Sequence, residues 1–311
     1  MNWNTTYSFP NKMNDVLIVG EVLVDIIHKE SENQYKNIVA GSPFNISKNL
    51  TKLGVKNVFY GAIGNDQFGK DILKEIQDKH INTEINITNH ATSYVVLNQT
   101  LDSPNPEFHR HSDNYIYQND KLTNDISFSK ILHFTFWPLS KEPSLSTILS
   151  LIDKAKANHT LIGFDPNYHP KLDDLQKSGF ETVKAIINKV DIIKPSLDDS
   201  YRLFGKKTID EYLDIYEELG AKLVILTLGK EGLITRFNKQ TLRMDSLATE
   251  VVDSTGAGDA FWSGLYAGLT NNHSIKDSLR LGLLCSAENL KYIGSDVELP
   301  ELDVLLQTIG G

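Results

Sequence analysis

Two patterns of apolar residues alternate along most of the chain. Short apolar runs at residues 15–20 and 58–63 predict buried strands. Over residues 43–53, by contrast, apolar side chains recur at steps of three and four, which predicts a helix, and a second helix is predicted over 66–79. An alternation of strands and helices is typical of a parallel sheet covered by helices.

One stretch, residues 83–117, departs from this alternation. Residues 93–98 and 107–111 have the composition of strands, with no helix between them. The segment that joins them, 101–106, is rich in Pro, Asn, Asp and Ser and indicates a hairpin. We therefore expect a small β insertion over about 92–117, joined by residues 22–39, which is well placed to act as a lid.

The alternation resumes after this insertion. Strands are predicted at 131–134, 161–165, 192–194 and 223–227, helices at 143–158, 178–189, 197–204, 208–219, 255–270 and 274–292, and a hairpin at 232–237 and 241–245. No repeat or flexible linker separates these elements. The chain is thus interpreted as one α/β domain over 13–311 with a β lid, preceded by an N-terminal extension, residues 1–12.

Composition narrows the classes of function. The 311 residues carry a net charge of -9, which disfavours a nucleic acid or an anionic membrane as the main partner. A single cysteine permits no internal disulfide. We see no apolar run long enough to span a membrane and no signal peptide, so the expected location is the cytoplasm.

The strongest candidate for chemistry is the segment 253–259, Asp-Ser-Thr-Gly-Ala-Gly-Asp, at the start of a predicted helix. Gly256 and Gly258 permit a tight turn, and the free amides around Ala257 would face an anion such as phosphate. Asp259 would repel a bound phosphate, so its position favours another role. As a base it would take the proton from an attacking hydroxyl.

This segment is neither a Walker A loop nor a dinucleotide-binding fingerprint. It resembles the second signature of the ribokinase-like (PfkB) carbohydrate kinases, and the resemblance runs in order from about residue 14 onward. It implies a three-layer α/β fold with a central, mainly parallel sheet and a small β-sheet lid. It also implies ATP as the phosphate donor, with Mg²⁺.

The N-terminal half resembles the sugar-binding side of that family. Asp25 follows the first strand and is expected to bind substrate hydroxyls. Residues 40–45, Ala-Gly-Ser-Pro-Phe-Asn, resemble the family's Gly-Gly-x-x-x-Asn segment, with Ala40 in place of the first glycine. Gly41 would let the sugar approach the backbone closely, and Asn45 would hydrogen-bond the sugar. Residues 59–69 resemble the family's first signature.

Two further segments are similar to those of fructokinases. Arg110, in Phe-His-Arg on the predicted lid, is expected to reach over the sugar and the phosphate. Asp165 and Asn167, in Asp-Pro-Asn at a strand end, would face the cleft. The family often has an arginine two residues later, where this chain has His169, so any contact made by that arginine is in question.

On the nucleotide side the resemblance is weaker. The segment 194–199 stands in place of the Asn-x-x-Glu motif that organises Mg²⁺, with Asp199 as a ligand through water. Asp253 and Thr255 match a potassium site that some members have. The other residues implied in nucleotide binding are Lys194, Ser196, Thr227, Gly229, Gly232 and Asn289.

The sequence therefore predicts a kinase that transfers the γ-phosphate of ATP to a primary hydroxyl of a monosaccharide, with fructose favoured. Ribose and 2-keto-3-deoxygluconate remain open as acceptors. An alternative of another class is a catalytically silent sugar- or nucleotide-binding protein on the same fold, which only the altered metal motif supports. An apolar face of the lid would also allow a homodimer.

Overall fold

The computed structural model of the protein describes residues 2–10, 12–29, 34–99, 105–172 and 179–309. The strands in this part of the chain are β1 (Asn14–Val19), β2 (Leu23–Lys29), β3 (Gln34–Ala40), β4 (Asn57–Gly64), β5 (Thr83–Thr88), β6 (Tyr94–Gln99), β7 (Asn105–His109), β8 (Ser129–Thr135), β9 (Leu161–Asp165), β10 (Ile192–Ile193), β11 (Leu223–Thr227), β12 (Leu233–Phe237) and β13 (Gln240–Met244). They form a nine-stranded sheet and a separate four-stranded sheet.

The large sheet has the order β13-β12-β11-β10-β9-β8-β1-β4-β5. Its strands are parallel from β11 to β5, and only β12 and β13 run antiparallel to their neighbours. The predicted α/β class with a mainly parallel sheet is confirmed. The parallel arrangement matters for the site because it brings the carboxyl ends of seven strands to one edge of the sheet.

Helices cover both faces of this sheet. They are α1 (Ser42–Lys52), α2 (Gln67–Asp78), α3 (Asp120–Ser127), α4 (Ser144–Ala157), α5 (Gly179–Ile187), α6 (Leu197–Phe204), α7 (Ile209–Glu218), α8 (Ala257–Thr270), α9 (Ile275–Asn289) and α10 (Leu302–Ile309). Strand β1 shows why both faces are covered. Side chains alternate along a strand, so Leu17 and Val19 enter one core while Val16 and Ile18 enter the other. Helices α3–α7 pack on the first core, and α1, α2 and α8–α10 on the second.

Helices α8 and α9 form a closely packed antiparallel pair beneath the large sheet. A Cβ on Gly264 would collide with the carbonyl of Leu281, and one on Gly268 would lie 2.6 Å from the hydroxyl of Ser278. The two glycines therefore let the helix backbones approach more closely than larger residues would. This packing fixes the position of α8, whose N-terminus carries Asp259.

The small sheet has the order β3-β2-β6-β7. Strand β2 is antiparallel to β3 and parallel to β6, and β6 pairs antiparallel with β7. The strands predicted for the insertion are thus paired as a hairpin, although residues 100–104 of its connector lie outside the described part of the chain. After His109 the chain leaves the small sheet, so residues 110–117 belong to the main body.

Some predicted boundaries were wrong. Residues 83–88 were not predicted as a strand, but they form β5, the edge strand of the large sheet, in register with β4. Helices α3 and α10 were not predicted. Both are short helices of eight residues, for which a hydrophobic period covers barely two turns.

The N-terminal segment lies against the main body. Its carbonyls accept hydrogen bonds at the start of α9, from Lys276 N to Trp3 and from Ile275 N to Thr5, each at 3.0 Å. The ammonium of Lys12 donates to the carbonyl of Ser129 at 2.8 Å. Within the described ranges, no helix has the length and apolar character needed to cross a membrane.

Candidate active site

A cleft of ≈ 810 Å³ opens between the small sheet and the carboxyl edge of the large sheet. This is the edge at which open α/β sheets bind ligands. Thirteen predicted site residues line the cleft: Asp25, Gly41, Asn45, Asp165, Asn167, Lys194, Ser196, Asp199, Thr227, Thr255, Gly256, Gly258 and Asp259. The structure thus brings together residues from both halves of the sequence.

Asp259 lies in the first turn of α8, with its carboxylate held by two neutral donors from α1. The hydroxyl of Ser42 donates to Oδ1 at 2.6 Å, and the amide of Asn45 donates to Oδ2 at 2.9 Å. Burial raises the pKa of Asp259 to about 6, although these two hydrogen bonds oppose the shift. Such a carboxylate is ionised at neutral pH and is a better proton acceptor than an exposed aspartate.

The loop before α8 has the shape of an anion site. Gly256 is the N-cap in the left-handed conformation, with φ 81°, and a Cβ there would lie 2.7 Å from Ser295. The amide of Ala257 donates to the carbonyl of Ser254 at 3.3 Å, whereas the amide of Gly258, in the first turn of α8, has no partner within the helix. The ammonium of Lys194 lies 3.5 Å from the point where a Cβ on Gly258 would stand. Positive charge and the amides at the start of a helix therefore meet at one place.

The sugar side of the cleft carries Asp25 on β2 and Asn45 on α1. Burial, and then the charge of Asp259, raise the pKa of Asp25 to about 7. Asn45 donates to Asp259 and accepts at Oδ1 from the hydroxyl of Ser295 at 3.3 Å. Asp25 and Asp259 thus lie in one weakly solvated region. A polyhydroxy ligand bound there could donate to the two carboxylates the hydrogen bonds that water would otherwise supply.

Gly41 forms the turn between β3 and α1. Its φ of 116° is open to glycine alone, and a Cβ would lie 2.5 Å from the carbonyl oxygen of Glu21. The backbone path that the prediction required at Gly41 is therefore present. It places the first turn of α1, with Ser42 and Asn45, against Asp259.

Asp165 also lines the cleft, but its contacts differ from those of Asp259. Its Oδ2 accepts from the indole of Trp262 at 2.8 Å and pairs with Lys194 at 3.0 Å. Its Oδ1 accepts from the amide of Asn167 at 3.2 Å. Both charged side chains are nearly buried, with 5% and 7% of their surfaces exposed. The carboxylate thus holds Lys194 beside the anion loop, a role that sequence reasoning did not assign to it.

Ser196 and Asp199 form a capping box at the start of α6. The hydroxyl of Ser196 donates to Asp199 Oδ2 at 2.6 Å, and Asp199 Oδ1 accepts from the amide of Tyr168 at 2.9 Å. Burial, and then the charge of Asp165, raise the pKa of Asp199. Both oxygens of the predicted metal ligand are thus engaged within the protein. Asp198 beside it is exposed and lines the cleft, but no motif in the sequence pointed to this residue.

The remaining residues predicted to bind the nucleotide are less clearly placed. Thr227 lines the cleft and donates its amide to Pro195 at 3.0 Å. Gly229 and Gly232 have φ values of 58° and 87° in the turn after β11, outside the cleft lining. Asn289 is buried beneath the anion loop and donates to the carbonyl of Thr255 at 2.7 Å. Asn289 therefore supports the loop from below.

Asp253 and Thr255, the residues of the potassium prediction, are bonded to each other. Asp253 Oδ1 accepts from the amide and the hydroxyl of Thr255, at 3.0 and 2.9 Å, and Oδ2 accepts from Gly294 N at 2.8 Å. Although burial opposes it, this hydrogen bonding lowers the pKa of Asp253. The carboxylate therefore ties the anion loop to the segment at Gly294.

Arg110 does not reach over the cleft as predicted. Its side chain is 5% exposed and ion-paired with Asp113, and it also donates to Asn114 at 2.8 Å and to the carbonyl of Trp137 at 3.0 Å. A further donor contacts Ser140. All four of these partners are fully or nearly buried, so the guanidinium makes its hydrogen bonds inside the protein and not in the cleft. Arg110 thus clamps the base of the β6–β7 hairpin to the main body.

Two cleft residues were not chosen from the sequence as ligands. Ser42 belongs to the Gly-Ser-Pro-Phe-Asn segment, and its position next to Gly41 could have identified it as a residue of the cleft. Glu21, next to Gly20, lines the cleft and accepts from the hydroxyl of Thr135 at 2.9 Å. Burial raises the pKa of Glu21 to about 8, so this acid is largely neutral at pH 7.

The residues present fit ATP better than they fit a metal held by the protein alone. Lys194 and the loop amides suit phosphate oxygens. Among the described residues, no group of three or more His, Cys, Asp or Glu side chains is arranged to hold a metal ion. Mg²⁺ in nucleotide enzymes needs only one or two carboxylates, because water and phosphate oxygens supply its other ligands.

Comparisons with known proteins agree with this geometry. A family model described as pfkB family carbohydrate kinase matches residues 13–302. An ATP-dependent 6-phosphofructokinase of Thermoanaerobacterium thermosaccharolyticum is 44% identical over 98% of this chain and 96% of the relative.

Solved structures give the same result. A fructokinase of Halothermothrix orenii superposes with a TM-score of 0.76, 33% identity and coverage of 86% of this chain and 97% of that one. A double mutant of the fructokinase of Vibrio cholerae O395, in its fructose-, ADP- and potassium-bound form, superposes with a TM-score of 0.84 and 26% identity. The match covers 96% of this chain and 99% of that one. The resemblance found in the sequence is confirmed. The chain belongs to the pfkB family of carbohydrate kinases, phosphotransferases that act on a sugar hydroxyl.

Proposed function

We propose that the protein transfers the γ-phosphate of ATP to a primary hydroxyl of a ketose, fructose or its 6-phosphate, with Asp259 as the catalytic base. The observation that carries this proposal is the position of Asp259. Its carboxylate is partly buried at the N-terminus of α8, and its side-chain donors among the described residues, Ser42 and Asn45, are neutral. A proton acceptor beside an anion site is what an attacking hydroxyl requires.

On the acceptor side, Asp25 and Asn45 bind the sugar hydroxyls and Gly41 lets the ring approach the backbone. The reacting hydroxyl takes the place between Asp25 and Asp259. Asp259 accepts its proton as the sugar oxygen attacks the γ-phosphorus. The new O–P bond forms as the bond between the γ-phosphorus and the β,γ-bridging oxygen breaks, and ADP leaves.

On the phosphate side, the amides of residues 256–258 and the ammonium of Lys194 stabilise the charge of the transferred group. When bound, Mg²⁺ supplies Lewis-acid neutralisation of the β- and γ-phosphate oxygens. Asp198 or Asp199 would hold it through water, and Ser196, Thr227, Gly229 and Gly232 would border the nucleotide. Asp253, Thr255 and backbone carbonyls near them would hold potassium, and Asn289 supports their loop.

The small sheet would act as the lid in this reaction. It carries Asp25, Phe108 and the strand before Gly41, which are one wall of the cleft. Closure would exclude water and so limit the hydrolysis of ATP. The exposed side chain of Tyr35 on the edge strand β3 offers a surface on which two lids could pair, so we also propose a homodimer through the small sheet. Sedimentation of the purified chain would test the homodimer.

Two observations bear on the acceptor. The segments with Arg110 and Asp165 resemble those of fructokinases, and two solved structures of that name superpose on the chain. The relative at 44% identity, however, is named for phosphofructokinase activity. Both acceptors present a ketose with a free primary hydroxyl, so the mechanism above applies to either.

A coupled assay of ADP release tests the proposal. The panel contains fructose, fructose 6-phosphate, ribose and 2-keto-3-deoxygluconate, each with Mg²⁺ and with or without K⁺. We expect turnover of one or both fructose substrates above the rate of ATP hydrolysis without sugar. Turnover of ribose or 2-keto-3-deoxygluconate alone would reject the ketose assignment, and no turnover of any acceptor would favour a silent binding protein.

A further inference from the structure

The carboxylates that line the cleft would repel the phosphate of a phosphorylated sugar unless nearby cations compensate this repulsion. Carboxylates of Asp25, Asp165, Asp198, Asp199 and Asp259 line the cleft. Lys194, the cation next to the anion loop, is already paired with Asp165. An acceptor that carries its own phosphate would therefore need further basic groups, away from those that bind the phosphates of ATP.

Such groups lie together at the cleft mouth, where His169, Lys171 and Arg202 form what we call the mouth cluster. His169 and Arg202 line the cleft. His169 Nδ1 accepts from the amide of Lys171 at 3.2 Å, which leaves Nε2 as the donor. Arg202 donates one hydrogen bond, to the carbonyl of Tyr168 at 3.3 Å. Burial, and then the charges of Arg202 and Lys171, lower the pKa of His169, so its ring is neutral at pH 7.

Two members of the cluster also contact the small sheet. The ring of His169 meets the edge of Phe108, with centroids 5.2 Å apart. The ammonium of Lys171 donates to the carbonyl of Pro106 at 3.1 Å. Both contacts are with strand β7, across the cleft from the loop after β9. A ligand group bound here would therefore touch both walls of the cleft.

The hydrogen-bond donors of His169 and Arg202 are available to a ligand. Within the ranges that the structure describes, neither His169 nor Arg202 has a carboxylate partner. Most of the other arginines with described contacts are paired, as Arg110 is with Asp113 and Arg236 is with Asp214. An exposed guanidinium that lines a cleft and bonds only to a carbonyl retains donors that suit phosphate oxygens.

The guanidinium next to His169 comes from a neighbouring element. Arg202 lies in the second turn of α6 and donates to the carbonyl of Tyr168, in the loop after β9. The cation of the mouth cluster that lines the cleft is thus supplied from the adjacent helix.

We propose that the mouth cluster binds the phosphate of a phosphorylated ketose, so that the preferred acceptor is fructose 6-phosphate and not fructose. This inference rests on the proposed function. The bound phosphate takes no part in the reaction. The free primary hydroxyl at the other end of the sugar attacks ATP, and Asp259 accepts its proton.

The test compares Arg202→Gln and His169→Gln with Lys206→Gln, a control that removes an exposed charge just beyond the end of α6. For each protein, kcat/KM is measured for fructose 6-phosphate and for fructose at saturating Mg-ATP, and KM is measured for ATP. Each cluster variant should lose about tenfold to a hundredfold in kcat/KM for fructose 6-phosphate. Its kcat/KM for fructose and its KM for ATP should match those of the control, and Arg202→Lys should restore part of the loss.

Three outcomes would overturn the inference. They are turnover of fructose but not of its 6-phosphate, an equal loss with both sugars, and a raised KM for ATP, which would assign the cluster to the nucleotide. Calorimetric titration with fructose 6-phosphate in the absence of nucleotide separates the two proposals. If no acceptor is turned over but the titration shows binding that Arg202→Gln weakens, the proposed function fails and the phosphate site stands.

Discussion

The two halves of the cleft treat buried carboxylates differently. On the sugar side, Asp259 is held only by the hydroxyl of Ser42 and the amide of Asn45. On the nucleotide side, Asp165 is held by an ammonium, an indole and a backbone amide. Neutral donors position a carboxylate and leave it able to accept a proton, whereas an ion pair commits its charge to a partner. One side is therefore built for reaction and the other for support.

The largest effect should come from removing the reactive carboxylate. Asp259→Asn keeps the shape and loses the base, so kcat should fall about a hundredfold to ten-thousandfold, while binding of the sugar is retained. Steady-state kinetics with the preferred acceptor gives kcat, and calorimetry gives the affinity. Asp277→Asn, the same change in the first turn of α9, is the control and should have normal turnover. Near-normal turnover in Asp259→Asn would remove Asp259 as the base.

The supporting side should respond in stability. Lys194→Met leaves Asp165 as a buried charge without its cation, so the free energy of unfolding should fall by about 3–5 kcal/mol. Urea denaturation followed by circular dichroism measures this change. The double variant Lys194→Met/Asp165→Asn should recover part of the loss, since no charge is then left unpaired. Lys74→Met, at a pair on the surface of α2, should leave the midpoint unchanged. If Lys194→Met behaves like Lys74→Met, Asp165 has no supporting role.

A smaller effect should appear in the pH dependence of the reactive side. The base must be ionised, so kcat should fall as the pH falls through the pKa of Asp259, which is about 6. The hydrogen bond from Ser42 lowers this pKa, so Ser42→Ala should move the acid limb of the profile to higher pH, by about one pH unit or less.

The control for this shift is Ser263→Ala. The hydroxyl of Ser263 donates at 2.8 Å to the backbone carbonyl of Asp259 and not to its carboxylate. Its loss should leave the acid limb in place. Equal shifts in both variants would mean that Ser42 acts on the fold of α8 and not on the carboxylate.

The sequence was most informative where local rules apply. The Gly-Ala-Gly-Asp spacing predicted a turn that opens a helix, and α8 begins two residues after the predicted start. Helix α6 has the predicted ends, because Ser196 and Asp199 form a capping box that is readable from four residues. The family signatures added the order in which the sugar and nucleotide sides follow each other.

Contacts between distant residues were not predictable in this way. The bond from Ser42 to Asp259 joins residues 217 positions apart, and the two side chains meet only after the sheet has formed. Arg110 was assigned to the cleft because its motif resembles one that reaches the sugar. Two of its four partners, Trp137 and Ser140, come from a segment that no local pattern connects with the β6–β7 hairpin.

The division of the sugar-binding groups between two bodies has a further consequence. Asn45 and Asp259 belong to the main body, where the packed pair α8–α9 fixes them, whereas Asp25 belongs to the small sheet. A rotation of the small sheet would therefore change the separation of Asp25 from Asp259 and leave Asn45 and Asp259 unmoved. Because burial, and then the charge of Asp259, raise the pKa of Asp25 to about 7, an opening that lowered this pKa would release a fraction of a proton at pH 7, and closure would take it up. The conformational cycle of this kinase would then be coupled to proton exchange with solvent.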